Sequence, residues 1–257
     1  MQALILPAAR GLRWLVEGFS IFQHRPALLS FLVLGYWLSM AVVSAIPLFG
    51  QLASFLLIPA FSVSLMNACR LIDRKEELPP QVLFSGFHRN LHTLLTLGVI
   101  YVLATLVVLG LSALFDGGLL FRMLVMGEAP AREALDKTSV FISAQLTVVL
   151  LIPIILAFWF APVLVAWHDM PAGKSLFFSL VACLRNWRPF LLYSLTIGII
   201  GVFVPRLIDG LLGGGDGVGQ LLPTMLTVMV SLILLPTLYA SFYISYRDIF
   251  VGMQDAS

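Results

Sequence analysis

Six long apolar runs follow one another along the chain, separated by short stretches in which charge, proline and glycine collect. About 20 predominantly apolar residues carry a helix across the hydrocarbon core of a bilayer, so each run is predicted to be a membrane span. The runs are continuous rather than alternating, which excludes the strands of an outer-membrane barrel. The spans are placed at Pro26 to about Ile46, Gln51 to about Ala68, Leu94 to Phe115, Ser143 to Trp167, Pro189 to near Pro205-Arg206, and Leu221 to Tyr246. The predicted fold class is all-α, a polytopic membrane helix bundle of six transmembrane helices forming one membrane domain over residues 1–257.

The odd-numbered spans are each preceded by a short lead-in. Residues 12–25 set Leu12, Leu15, Val16, Phe19 and Phe22 at helical spacing, with Arg13, Glu17 and Ser20 on another face. That pattern predicts an amphipathic helix lying in the lipid interface. Gln81 to His92 is a weaker version, and a third lead-in carries Phe177, Leu180, Val181 and Leu184 on one face. Each lead-in closes on a basic entry signal, strongest in Leu184-Arg185-Asn186-Trp187-Arg188-Pro189 and repeated around Arg25-Pro26 and Arg89-Asn90. Arg25, Arg89, Arg185 and Arg188 are therefore predicted to anchor the spans at the headgroups.

The even-numbered spans share a Leu-Leu-(Ile)-Pro element and end on an aspartate: Pro59 with Asp73, Pro153 with Asp169, Pro236 with Asp248. The separations are 14, 16 and 12 residues, or about 18–24 Å at 1.5 Å per residue. Pro59, Pro153 and Pro236 are thus candidate helix kinks near or beyond mid-membrane, each freeing a backbone carbonyl that needs a partner in the bundle. Lead-in, span, outer loop and proline-bearing span together suggest three parallel units, 11–73, 81–169 and 174–248, about a pseudo-threefold axis along the membrane normal.

Composition agrees. Hydrophobic residues make up 60% of the chain and charged residues 11%, against about 25% charged in soluble domains. Lysine and arginine are distributed unevenly, with eleven of the fifteen on the side of the lead-ins and only Arg122, Arg132, Lys137 and Arg206 on the other. The positive-inside rule then predicts both termini in the cytoplasm of a bacterial inner-membrane protein. Arg10 and Arg13 are followed by Trp14, Glu17 and Gly18 rather than by an apolar core and cleavage site, unlike a signal peptide. The net charge of +2 gives no footprint for nucleic acid.

Candidate chemistry is sparse. His24, His88, His92 and His168 all map to the inner boundary, and His88 with His92 has the i, i+4 spacing of a weak candidate metal pair, with Cys69 and Cys183 at similar depth. Amphipathic rings resting at the headgroups account for the same placement, and no metal or other cofactor is expected. Cys69 and Cys183 are expected to be free thiols. Gly213 to Gly219 resembles a phosphate loop in spacing but follows no strand and reads as an outer loop. Residues 116–140 are consistent with an ordered cap or a mobile loop, with Ala131 to Thr138 a short helix. Ser62, Ser64, Asn67, Thr196, Thr224, Thr227 and Ser231 are the polar groups at depth, with no charge among them.

From Pro7-Ala8-Ala9-Arg10-Gly11 through Trp14 and Gly18-Phe19, and on across the spans, the chain resembles a family of uncharacterised proteobacterial inner-membrane proteins. More distantly it is similar to the membrane domain accompanying some glycerophosphodiester phosphodiesterases. The resemblance implies a six-span membrane protein; the soluble phosphodiesterase domain is absent, so that activity is not implied. The expected role is a non-enzymatic structural or accessory component, with the lipid bilayer and a membrane protein as its partners. The alternative is a small transporter or channel for a lipid-like or weakly polar solute.

Overall fold

The computed structural model describes residues 3–47, 49–123, 127–128, 138–212 and 221–250. Among them the regular secondary structure is all helical, and six helices are long and apolar enough to cross a membrane. The first lead-in is an α-helix, Arg10–His24, and span one follows as Pro26–Ser44. Span two is Gly50–Asp73, and the second lead-in is a 3₁₀ segment, Pro80–Phe87. Span three is Leu91–Asp116, and span four is broken into Thr138–Trp159 and Ala161–His168. The third lead-in is Ala172–Arg185, span five Trp187–Leu212 and span six Leu221–Ile249. The polytopic helix bundle read from the sequence is the observed architecture. The Leu48 turn, the Ala131 to Thr138 helix as a unit, the Gly213 loop and the C-terminal tail lie outside the described residues, wholly or in part.

Each lead-in packs on an even-numbered span. The first lies along span six, where Gly18 meets the backbone of Ser241; a Cβ on Gly18 would stand 2.6 Å from the Ser241 nitrogen. The second lies along span two, with Gly86 against the Ala60 carbonyl and its N–H donating to Ser64 Oγ at 2.9 Å. The third lies along span four, where the Ser179 hydroxyl accepts from Phe160 N–H at 2.9 Å and donates to Leu156 C=O at 2.8 Å. That hydroxyl stands inside what would be an i to i−4 helical bond, a recognised cause of a helix break.

Span four breaks at Phe160, one residue before the Ala161-Pro162 start of its second piece, and runs helically through the exposed Pro153. Pro59 and Pro236 are buried inside continuous helices, and span five continues through Pro205 to Leu212. The first lead-in has, besides an outward apolar stripe, a face packed on the bundle. Of its apolar stripe Leu12, Val16 and Phe19 are exposed, Leu15 is half-buried and Phe22 is buried, and Gly11, Trp14, Gly18 and Ile21 join Phe22 on the buried face. A helix resting only on lipid would bury neither glycine against a backbone.

The core sits at the end of the bundle that carries the lead-ins. Trp14, Phe160, Phe190, Tyr193, Tyr246 and Phe250 are buried there. Trp14 meets Phe190 edge-on at 5.2 Å, and Phe160 meets Phe250 at 5.4 Å and Phe190 at 5.9 Å. Such offset and T-shaped contacts add about 0.5–1.5 kcal/mol per pair beyond burial. Toward the other end the helices part. Over its most apolar window span five is 6% buried, against 56% for span two, so span two is the central post and span five faces outward.

A methyl at Gly18 has no flexible neighbour to displace, so Gly18→Ala is expected to destabilise by about 1–3 kcal/mol, lowering the melting temperature of detergent-solubilised protein by several degrees. Gly198→Ala, with nothing within 4 Å of its Cβ, leaves it unchanged or slightly raised. Thermal unfolding of the two variants beside the native chain checks this.

Candidate functional site

At the lead-in end, side chains from both ends of the chain and from span two converge. Asp248, at the close of span six, accepts from Arg10 Nε at 2.8 Å, from Arg10 Nη2, and from Trp14 Nε1 at 2.9 Å. Arg10 also pairs with Glu17 at 2.9 Å. Arg247 donates to Glu17 at 3.0 Å and to Asp73, the close of span two, at 3.1 Å, and Tyr243 adds a bond to Asp73 at 2.9 Å. Burial opposes the charge of Arg10, but the carboxylates of Asp248 and Glu17 outweigh it and raise its pKa. The web is mostly shielded, with side-chain exposures of 20% for Arg10 and 11% for Asp248.

Two further ties complete the face. Asp169, at the close of span four, accepts from Asn90 at 2.6 Å and Arg89 at 3.0 Å, and Asn90 also donates to the Val165 carbonyl at 2.9 Å. Asn186 is fully buried and clasps the extended N-terminal residues: its Oδ1 accepts from Leu6 N–H at 2.9 Å and its Nδ2 donates to the Leu4 carbonyl at 2.8 Å. Leu4 N–H in turn reaches the Ile249 carbonyl at 3.0 Å. All three closing aspartates are therefore bonded to a basic side chain.

The predicted anchors divide. Arg25, Arg185 and Arg188 are exposed, and Arg188 stacks over the exposed Trp187 ring at 5.4 Å. Arg89 is exposed but tied to Asp169. His88 and His92 do not share a helix face, because the 3₁₀ segment ends at Phe87, Asn90 turns left-handed at φ 53°, and span three starts only at Leu91. Both rings are exposed, and His88 Nδ1 donates to the Phe84 carbonyl at 2.9 Å. No group of three His, Cys, Asp or Glu side chains that could hold a metal occurs among the described residues. Cys69 and Cys183 are buried free thiols, and burial pushes the Cys183 thiol up, away from the reactive thiolate. At depth, Ser64, Thr196 and Ser231 bond back to their own helices.

Two cavities open on the other side of this face. One of about 730 Å³ lies between the turn after span one and spans two and three, lined by Gln51, Phe55, Tyr101 and Thr105. A deeper one of about 220 Å³ is lined by Phe55, Pro59, Ser62, Tyr101, Trp159 and Pro162. Two buried polar atoms without a partner, Thr105 Oγ1 and Trp159 Nε1, belong to residues of these walls.

The chain is 34% identical to a probable inner membrane protein of Burkholderia thailandensis, over 99% of this chain and 96% of that protein. It belongs to that family. The chain is accordingly a multi-pass protein of the bacterial inner membrane, with six candidate spans among its described helices. No family model and no solved structure matches the chain, and the more distant resemblance to the phosphodiesterase-linked membrane domain finds no support. Asn186, Trp14, Asp73 and Asp248 all stood in motifs read from the sequence, but the bonds that join them into this face were not among its expectations. For the charged web, the signal was the aspartate closing each even-numbered span.

Hydrogen bonding by Asn90, reinforced by Arg89, holds the Asp169 carboxyl below the usual carboxylate range. The stability this tie supplies is present above the unfolded-state value and is lost as pH falls through the depressed one. A carbon-detected NMR titration is expected to find Asp169 ionised at pH values where free aspartate is protonating, and Asn90→Ala to move it back toward the free value.

Proposed function

We propose that the protein is a non-enzymatic accessory component of the inner membrane, with both termini cytoplasmic, that acts through helix packing and lipid contact. One observation carries this reading: the lead-in end is closed by the Arg10–Asp248–Asp73 web over a packed aromatic core, while the opposite halves of the spans present apolar side chains outward. A rigid platform on one leaflet with loosely packed helices in the other suits a subunit that engages lipid or a neighbouring membrane protein. The exposed Arg13, Arg25, Arg185 and Arg188 at the lead-in end support a cytoplasmic assignment for that face.

The same packing supports three units, 11–73, 81–169 and 174–248. In each case a lead-in lies on the even-numbered span preceding it, the first lead-in using span six and so closing the ring.

A second reading, a small transporter or channel for a lipid-like or weakly polar solute, is favoured by the orphaned Thr105 and Trp159 polar atoms beside the two cavities. Buried polar groups without partners are costly, by about 1–3 kcal/mol each, and a ligand with one hydroxyl or ester would relieve them. Purified protein in liposomes separates the readings. The accessory role predicts no flux of fluorescent lipid or small neutral solutes above empty vesicles. Flux that falls when Thr105→Val and Trp159→Phe are introduced would replace it with the transporter.

A further inference from the structure

A third cavity, of about 460 Å³, sits at the lead-in end where span two runs out, between Asn67–Arg74 and the second lead-in. Its size falls within the range of about 300–1,000 Å³ common for small-molecule sites. Asn67, Arg70, Arg74, Gln81, Ser85 and His88 contribute its polar wall, and Leu71, Pro79 and Val82 its apolar wall.

The polar wall is held in place from behind. Trp167 Nε1 donates to Asn67 Oδ1 at 2.8 Å, and Asn67 Nδ2 donates to Ser85 Oγ at 2.9 Å. Both capacities of the amide are thus used, and the Ser85 hydroxyl keeps its own proton to give. Arg70 is half-buried with its guanidinium over the Trp167 ring at 4.9 Å. Among the described residues neither Arg70 nor Arg74 has a carboxylate in salt-bridge range, whereas Arg10, Arg89 and Arg247 at the same end all do. His88 uses Nδ1 on the Phe84 carbonyl, leaving Nε2 free. Glu76 is an exposed carboxylate on the wall, which two arginines outnumber.

The geometry points to a binding site for a phosphate-type anion, held by Arg70 and Arg74 with the Ser85 hydroxyl and Gln81 amide as neutral donors. Arginine forks match phosphate oxygens in paired, charge-assisted bonds. Arg70 lies three residues before the end of span two, about 5 Å in from the helix terminus at 1.5 Å per residue, which is headgroup depth. Basic pockets at the ends of membrane helices recognise anionic headgroups in this way, and the apolar wall of Leu71, Pro79 and Val82 suits the glycerol and upper acyl carbons attached to a lipid phosphate. The site is independent of whether the protein moves a solute.

Native mass spectrometry of the full-length protein in detergent tests the assignment, with phosphatidylglycerol, phosphatidylcholine and inorganic phosphate added separately. Phosphatidylglycerol is expected to bind about tenfold more tightly than the zwitterionic lipid, and Arg70→Gln to remove that preference. Glu76→Gln is expected to strengthen anion binding, a gain that misfolding cannot imitate, and Arg185→Gln to leave it unchanged. Inorganic phosphate that binds in an Arg70-dependent way and displaces the lipid assigns the site to soluble phosphate-bearing ligands; its failure to compete assigns it to the headgroup. Equal affinity for the two lipids, or an undiminished preference in Arg70→Gln, with no Arg70-dependent phosphate binding, overturns the site.

Discussion

The Asp248 carboxylate, gripped by Arg10 and Trp14, joins the last turn of span six to the first turns of the chain, and the rest of the bundle depends on that junction. Within a bilayer, apolar surface gives helices no reason to prefer one another over lipid, so association rests on close packing and hydrogen bonds. The first lead-in supplies both. Gly11 and Gly18 let its backbone settle against Pro189 and Ser241, and Arg10 and Trp14 reach the carboxylate beyond. Asp73 and Arg247 then extend the same web to span two, the most enclosed of the spans.

From this closed end the molecule loosens with depth. The Ser179 hydroxyl in the Phe160–Leu156 gap breaks span four at the edge of the aromatic core. Beyond it the helices separate around the Thr105 and Trp159 cavities, and span five is the least buried of the six spans. The bundle is closely packed at the lead-in end and more open toward the other. Charged and hydrogen-bonding groups lie at the lead-in end, and apolar grooves with one or two orphaned polar atoms lie toward the other.

The span count and the three closing aspartates were legible because length and apolarity decide membrane insertion. The inward face of the first lead-in was not. Leu12, Val16 and Phe19 face outward, because in lipid an apolar stripe marks the outside as readily as the inside, and the buried side is carried by Gly11, Trp14, Gly18, Ile21 and Phe22. The break in span four falls not at Pro153 but at Phe160, where Pro162 opens the second piece and the Ser179 hydroxyl, 19 residues downstream, takes up the Phe160 N–H. The Arg10–Asp248 pair spans 238 residues, a separation at which no local pattern operates. His88 and His92 kept helical spacing in sequence but lost it to the left-handed turn at Asn90.

A double-mutant cycle on Arg10 and Asp248 tests the junction most directly. Arg10→Ala, Asp248→Ala and the double variant are unfolded from detergent micelles, and their free energies are compared with the native chain. Partly shielded pairs lie between the exposed and buried limits, so a coupling energy of about 1–3 kcal/mol is predicted, with the double variant losing less than the sum of the singles. Additive losses, or single variants indistinguishable from native, would mean that the two ends of the chain are not held together by this carboxylate.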